Sequence, residues 1–210
     1  EIPLRLVGSE MCIRDRVCSA PLPKSLDGAS TAFDIGVGTG VLSIILAMRD
    51  VQKIVATDQD ERALICAKEN IALLDLGSQI DIVKANLFPA GKASLIVCNP
   101  PWVPARPSSL LEHAVYDPES QMLKGFLAGL KDHLLPQGEG WLILSDLAEH
   151  LELRSRQELL SWIEDAGLVV LERIDTKPKH PKAFDESDSL HFARAAEITS
   201  LWRLQIHQKY

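Results

Sequence analysis

The sequence predicts an α/β fold: a mostly parallel, seven-stranded sheet with helices on both faces and an antiparallel strand at one edge. Three observations carry this. Short β-rich runs alternate with helical segments from about residue 31 onward. The inner runs are apolar at consecutive positions and flanked by turn residues, as strands covered on both faces are. The last two runs have no helix between them, so they pair antiparallel.

The elements follow in order. Thr31–Ile35 is a short apolar run that ends in glycines, and Val41–Arg49 reads as a helix. Ile54–Thr57 is the second β-rich run, and Asp60–Leu74 is a helix that Gly77 closes. Ile80–Val83 and Leu95–Cys98 are buried strands. A helix over Ser120–Leu135 stops at Pro136 and Gly138, with Trp141–Leu144 as the next strand. Arg154–Ala166 is a helix stopped by Gly167, and Leu168–Ile174 and Thr199–Ile206 are the final strands. Val103–Pro118 and Thr176–Ala196 read as long irregular loops, which in compact domains are functional or disordered. The second holds Lys177, Lys179, His180 and Lys182, a cluster of positive charge in an acidic chain.

A length of 210 residues suits one domain, and 46% hydrophobic with 24% charged residues is the balance of a soluble globular protein. No run approaches the ~18 uninterrupted apolar residues of a membrane span. A net charge of −7 argues against gripping long nucleic acid unaided, though it leaves room for a local basic patch. Cys12, Cys18, Cys66 and Cys98 form no C-x-x-C pair and no spaced Cys/His cluster, so neither zinc nor a disulfide framework is expected. They read as thiols in a reducing cytoplasm. Gly8–Arg16 resembles the in-frame translation of a sequencing adapter and has no signal-peptide pattern. The expected division is therefore a non-native leader over 1–17 and a single domain over 18–210, truncated at its N-terminus.

Three segments carry chemistry. Phe33-Asp34-Ile35-Gly36-Val37-Gly38-Thr39-Gly40 lies between a strand and a helix. Glycines there permit a tight turn and close approach of a ligand to the backbone. The spacing is G-x-G-x-G, not the G-x-G-x-x-G of dinucleotide binders. Alone, such a turn is as well explained by structure as by binding. Asp58 ends the next strand, where a carboxylate accepts both hydroxyls of a ribose. Its competing role is a helix cap, for which Asp60 is better placed.

The third segment, Asn99-Pro100-Pro101-Trp102, follows the fourth strand directly. An amide or exocyclic amine nitrogen is a poor nucleophile because its lone pair is delocalised. The Asn99 side-chain carbonyl and the Pro100 backbone carbonyl each accept one N–H, which holds such a nitrogen in line and favours a pyramidal transition state. Prolines remove competing N–H donors, and Trp102 offers a ring for a flat substrate or a cation. A plain β-turn explains the two prolines but not the Asn and the aromatic together.

Asp34 with Gly36, Gly38 and Gly40 resembles motif I of the class I S-adenosylmethionine-dependent methyltransferases. Asn99–Trp102 resembles the (Asn/Asp)-Pro-Pro-(Tyr/Phe/Trp) motif of members that modify planar nitrogens. With Val103-Pro104 after it, the segment is most similar to the protein-glutamine N5-methyltransferases that modify release factors, and also to small-domain RNA N-methyltransferases. The resemblance implies a Rossmann-like methyltransferase fold with S-adenosylmethionine as cofactor. Asp34, Gly36, Gly38 and Gly40 would line its methionine end, Asp58 its ribose, and Asn86 with Leu87 its adenine. Asn99, Pro100 and Trp102 would hold the target nitrogen, with Asn99 also bordering the cofactor. Two positions depart from the pattern: Asn86 where Asp is common, and Trp102 where Tyr is usual. Asn70 matches a frequent asparagine and reads as structural, and His113 and His191 read as loop polarity.

The expected reaction is direct methyl transfer with neither a metal nor a covalent nucleophile. The expected substrate is a glutamine side-chain amide in a protein, such as a translation factor or ribosomal protein. The alternative is a guanine or adenine amine in ribosomal or transfer RNA. A membrane partner is not expected, and the location is the cytoplasm. A nicotinamide-dependent oxidoreductase would need G-x-G-x-x-G and has no use for Asn-Pro-Pro-Trp. A non-catalytic S-adenosylmethionine-binding module would keep the glycines and Asp58 but lose the Asn-Pro-Pro element.

Overall fold

The structure is a computed structural model and describes residues 17, 20–26, 31–102, 117–177 and 196–207. Its elements are β1 (Thr31–Ile35), α1 (Val41–Met48), β2 (Lys53–Asp58), α2 (Glu61–Leu73), β3 (Ile80–Lys84) and β4 (Ala93–Cys98). A 3-10 turn (Pro118–Ser120) then leads into α3 (Gln121–His133), β5 (Leu134–Ser145), α4 (Leu147–His150), α5 (Arg156–Asp165), β6 (Leu168–Thr176) and β7 (Thr199–Ile206). The strands form one sheet in the order β3-β2-β1-β4-β5-β7-β6. β1 to β5 pair in parallel, whereas β7 is antiparallel to both β5 and β6. The antiparallel pair sits at the edge as expected, with the reversed strand β7 one place in and β6 outermost.

The alternation of side chains along the central strands sorts the core into two layers. Ala32, Leu95, Val97 and Ile143 face a cluster with Ile44 of α1 and Leu64, Ala67 and Ile71 of α2. Phe33, Ile35, Ile96, Cys98 and Leu142 face the other cluster, with Leu123, Phe126 and Leu130 of α3 and Leu159 and Ile163 of α5. Every residue of β4 is buried, which is why that strand shows no polar alternation.

Local signals place the helix ends. Asp60 caps α2 by accepting from the Arg62 amide at 2.9 Å. Ser155 and Glu158 form a reciprocal capping box on α5, and Gly167 follows that helix with φ 71°.

Three expectations need correction. Ile80–Val83, expected as a buried strand, lies in the edge strand β3, of which only Ile80 is buried. Helix α3 ends at His133, and the chain from Leu134 through Pro136 and Gly138 belongs to β5. The pairing steps from Ala93↔Leu134 to Leu95↔Glu139, so residues 135–138 bulge out opposite Ser94. Pro136 is tolerated because it lies in that bulge. Gly138 is required there, since a Cβ would lie 2.9 Å from the Leu135 carbonyl oxygen and 3.0 Å from that of Ser94. A short helix, α4, also precedes the expected one, and α5 starts at Arg156 rather than Arg154.

Of the expected leader, residues 1–16 lie outside the described residues. Val17, at its boundary, is fully buried in the first core layer, as is Ala20. Arg49 donates to the carbonyl oxygens of both.

Candidate functional site

Strand order reverses at β1, which has β2 on one side and β4 on the other. Crevices that take ligands open at such a switch point, outside the carboxyl ends of the strands. Ile35 pairs with both Thr57 of β2 and Cys98 of β4. The next residues, Gly36, Asp58 and Asn99, therefore stand at one level: Gly36 and Asn99 just past the ends of β1 and β4, and Asp58 as the last residue of β2, paired with Lys84 of β3. Adjacent strands are ~4.8 Å apart, so Asp58 and Asn99 flank the glycine turn across about 10 Å.

The turn is fixed by backbone bonds. The amides of Gly36 and Val37 donate to the Thr57 carbonyl at 2.9 and 2.8 Å, and the Gly40 amide donates to that of Val37 at 2.8 Å. Gly36, Gly38 and Gly40 all have positive φ, at 75°, 51° and 84°. Gly40 also lets the turn meet α2, because a Cβ there would sit 3.4 Å from Ala67. A Cβ on Gly38 would meet nothing nearer than 4.0 Å, so the backbone faces open space at that position. Asn70 acts as the structural residue expected of it, its side-chain amide donating to the Thr39 carbonyl at 2.9 Å.

Asp58 stands beside this turn. One carboxylate oxygen accepts from the Gly38 amide at 3.1 Å and the other from the Asp60 amide at 2.9 Å. A carboxylate oxygen accepts two hydrogen bonds, so each keeps one lone pair for a further donor.

Asp34 is fully buried on the α1 side of the sheet. One oxygen accepts from the Ser43 amide at 3.0 Å and from its hydroxyl at 2.6 Å, which ties β1 to α1. The other oxygen has no hydrogen-bond partner. Burial pushes the carboxyl up to a pKa of about 6, partly offset by the two Ser43 bonds and reinforced by the Asp58 charge.

The segment after β3 is seated by two glycines that the sequence reading did not single out. Asn86 is exposed and Leu87 half-buried. Leu87 holds φ 66°, and its carbonyl accepts from the Thr57 hydroxyl at 2.5 Å. Gly125 and Gly129, one turn apart on α3, receive Leu87 and Phe88: a Cβ would lie 2.6 Å from the Leu87 side chain and 2.3 Å from the Phe88 ring. Phe88 also stacks on His133, with ring centroids 4.3 Å apart. The i, i+4 spacing of the two glycines was the available signal.

After β4, Pro100 is buried and Asn99 and Trp102 are half-buried. The Trp102 indole N–H donates to the Asn99 side-chain oxygen at 3.0 Å. The Trp102 ring packs against buried residues of both core layers. The ring thus sits at the end of the sheet, in contact with the residue it was expected to assist.

A second unforeseen group lies after β5. Arg154 is 3% exposed, and its side chain makes one long bond, 3.4 Å to the Ser145 carbonyl, with Nε unpartnered. Burial lowers its pKa. Among the described residues, no three His, Cys, Asp or Glu side chains converge as a metal site. Cys66 and Cys98 are free thiols, whereas Cys12 and Cys18 lie outside the described residues. Lys177 is exposed, whereas Lys179, His180, Lys182, His113 and His191 lie outside the described residues. No helix among the described residues is long and apolar enough to cross a membrane.

Comparison with known proteins bears on this edge. A family model for ribosomal protein L11 methyltransferase matches residues 15–100. The ribosomal protein L11 methyltransferase of Clostridium botulinum (strain Eklund 17B / Type B) is 38% identical over 86 residues, covering 40% of this chain and 27% of that protein. The chain thus spans about a quarter of that relative's length. A tRNA1(Val) (adenine(37)-N6)-methyltransferase of Bacteroides thetaiotaomicron is 31% identical over 140 residues, covering 61% of this chain and 57% of the relative. A match over 61% of a 210-residue chain necessarily spans its middle, Asn99–Trp102 included. The crystal structure of a ribosomal protein L11 methylase from Lactobacillus delbrueckii subsp. bulgaricus superposes with a TM-score of 0.60 at 17% identity, covering 94% of this chain and 77% of that one. At that identity the likeness carries the fold alone.

Proposed function

We propose that the chain is a class I S-adenosylmethionine-dependent methyltransferase that transfers a methyl group to a planar nitrogen of a macromolecule, a reading supported by the partial matches to methyltransferases and by the fold. The observation that carries this reading is that Gly36, Asp58 and Asn99 stand at one level at the carboxyl ends of their strands, with Asp58 and Asn99 on opposite sides of the glycine turn.

The residues fit the cofactor. The unpartnered oxygen of Asp34 is a buried acceptor suited to the ammonium of a methionine end. Gly38 leaves space for close approach, and the spare lone pairs of Asp58 suit the two ribose hydroxyls. Leu87, with Asn86 beside it, would border the adenine. When bound, S-adenosylmethionine supplies a methyl group activated by a sulfonium.

The chain's own residues then act on the nucleophile. The Asn99 side-chain oxygen and the Pro100 carbonyl each take one N–H of the target, which turns its lone pair toward the methyl group. These bonds strengthen as the nitrogen gains positive charge in the transition state. Trp102 and the buried Pro100 keep water from that side of the site.

Between the two planar nitrogens compatible with this chemistry, we favour the exocyclic amine of a nucleobase. The tRNA adenine relative spans the Asn99–Trp102 segment, while the match to the protein-directed L11 family stops at Pro100. A glutamine side-chain amide has the same planar geometry and stands as the second reading on the strength of the Asn-Pro-Pro-Trp element.

The test incubates the protein with methyl-labelled cofactor and total cell extract, then splits the sample between RNase and protease. Label released by RNase supports the base, and label released by protease supports the amide. Asn99→Ala should leave cofactor affinity near normal while transfer falls by orders of magnitude. Near-wild-type transfer by that variant would reduce Asn99–Trp102 to a turn.

A further inference from the structure

We propose that Trp102 is a positioning residue: its indole N–H fixes the Asn99 carboxamide with the oxygen held as acceptor for the substrate nitrogen. The inference rests on the N-methyltransferase reading above and assigns Trp102 a role other than stacking on the substrate.

The argument begins with a missing donor. An asparagine outside regular structure commonly accepts from the backbone N–H two residues on, closing an Asx turn. Here that residue is Pro101, and the one before it is Pro100, so neither offers an N–H. The Asn99 oxygen instead takes the Trp102 side-chain N–H at 3.0 Å.

The identity of the donor matters. A free carboxamide rotates to present either its oxygen or its NH2. The NH2 form would oppose a substrate N–H with another donor. Indole is a donor and never an acceptor, so it selects the orientation in which the oxygen faces the site. A tyrosine hydroxyl both donates and accepts, and would tolerate either orientation; phenylalanine would select none. The oxygen has two acceptor positions, so the Trp102 bond leaves one for the substrate.

The ring is itself held. It packs against buried residues of both core layers, so its N–H direction is set by the fold. A ring so placed is poorly free to swing out as a stacking surface, which separates the two roles experimentally.

The experiment compares wild type with Trp102→Phe and Trp102→Tyr in 15N-labelled protein. NMR reads the Asn99 side-chain NH2 signals, and kinetics use the fraction that accepts label in the extract assay. In Trp102→Phe the Asn99 signals should shift toward those of a free carboxamide. kcat should fall about tenfold, the worth of one lost hydrogen bond. KM and cofactor affinity should stay within about twofold, since the ring is retained. Trp102→Tyr should recover part of kcat through its hydroxyl. Unchanged Asn99 signals, or a raised KM with unchanged kcat, would overturn the proposal, the latter showing a stacking surface. If the Asn99 signals shift but wild type labels nothing, the positioning contact stands and the methyl-transfer reading fails.

Discussion

The Ser43 hydroxyl donates to the Asp34 carboxylate at 2.6 Å, inside an interface that admits no solvent to Asp34. The bond ties the first strand to the first helix directly behind the glycine turn. It only partly offsets the burial of a charge, and the carboxyl pKa rises from 3.8 to about 6.

The sign of the consequence follows from proton binding. Between pH 3.8 and about 6 the folded state holds this proton more tightly than the unfolded chain does. Stability contributed by Asp34 therefore falls as pH rises through that window, and the cost, about 3 kcal/mol, persists in full above it. Asp34→Asn keeps an acceptor for Ser43 and removes the titration. In urea unfolding, the difference between variant and wild type should grow from pH 4 to 6 and then level off in favour of the variant. A difference that is flat across this range would refute the assignment. A cation bound at the spare oxygen favours the ionised form, so cofactor affinity in wild type should drop as pH is lowered through about 6.

Asp58 and Asp60 divide two jobs, and their variants should separate them. Asp60→Ala removes the acceptor for the Arg62 amide and should cost about 1 kcal/mol of stability with cofactor affinity unchanged. Asp58→Ala frees the Gly38 and Asp60 amides and also deletes the acceptors proposed for the ribose hydroxyls. Two charge-assisted bonds of ~1.5–3 kcal/mol each imply at least a hundredfold weaker binding by calorimetry. Equal affinities for the two variants would remove Asp58 from the site.

Much of this edge was legible because its residues are consecutive in sequence and their types have few other uses. Asp34 before three spaced glycines, Asp58 at a strand end and Asn99-Pro100-Pro101-Trp102 each declare a backbone geometry. Contacts set by side-chain orientation or by the packing of distant segments were not legible. The Trp102–Asn99 bond depends on ring orientation, the seating of Phe88 on Gly129 joins residues 41 apart, and the unpaired guanidinium of Arg154 looks in sequence like any surface arginine. The misread end of α3 has the same origin. Pro136 and Gly138 did mark a turn, but only pairing with β4 shows that it is a bulge within a strand.

Gly125 and Gly129 test that long-range packing. Alanine raises helix propensity, so in an exposed helix each change would stabilise by up to about 1 kcal/mol. Here the new methyl group would lie 2.6 Å from Leu87 or 2.3 Å from the Phe88 ring. Overpacking of this kind costs about 1–3 kcal/mol, so both variants should unfold at lower urea than wild type, with Gly129→Ala the worse. Gly77→Ala, where a Cβ meets nothing within 4 Å, is the control and should be neutral or better. A stabilised Gly129→Ala would mean that the 86–88 segment does not rest on α3.

Arg154 yields the opposite expectation for a charged residue. It is 3% exposed, and its side chain donates one bond, at 3.4 Å, and leaves Nε without a partner. Burying a guanidinium costs several kcal/mol unless carboxylates or well-formed hydrogen bonds repay it. The nearby Glu149 is engaged elsewhere, in a 2.7 Å pair with Arg156. Arg154→Met keeps an unbranched side chain able to fill most of the volume while removing the desolvation cost. It should leave thermal stability unchanged or raise it, on the order of 1–4 kcal/mol at most. Arg154→Ala removes the charge but also opens a cavity, and should destabilise relative to Met by the packing lost. If the Met variant instead loses more than about 1 kcal/mol in urea titration, the guanidinium is contributing net stability, and its 3.4 Å contact with Ser145 understates how well it is held.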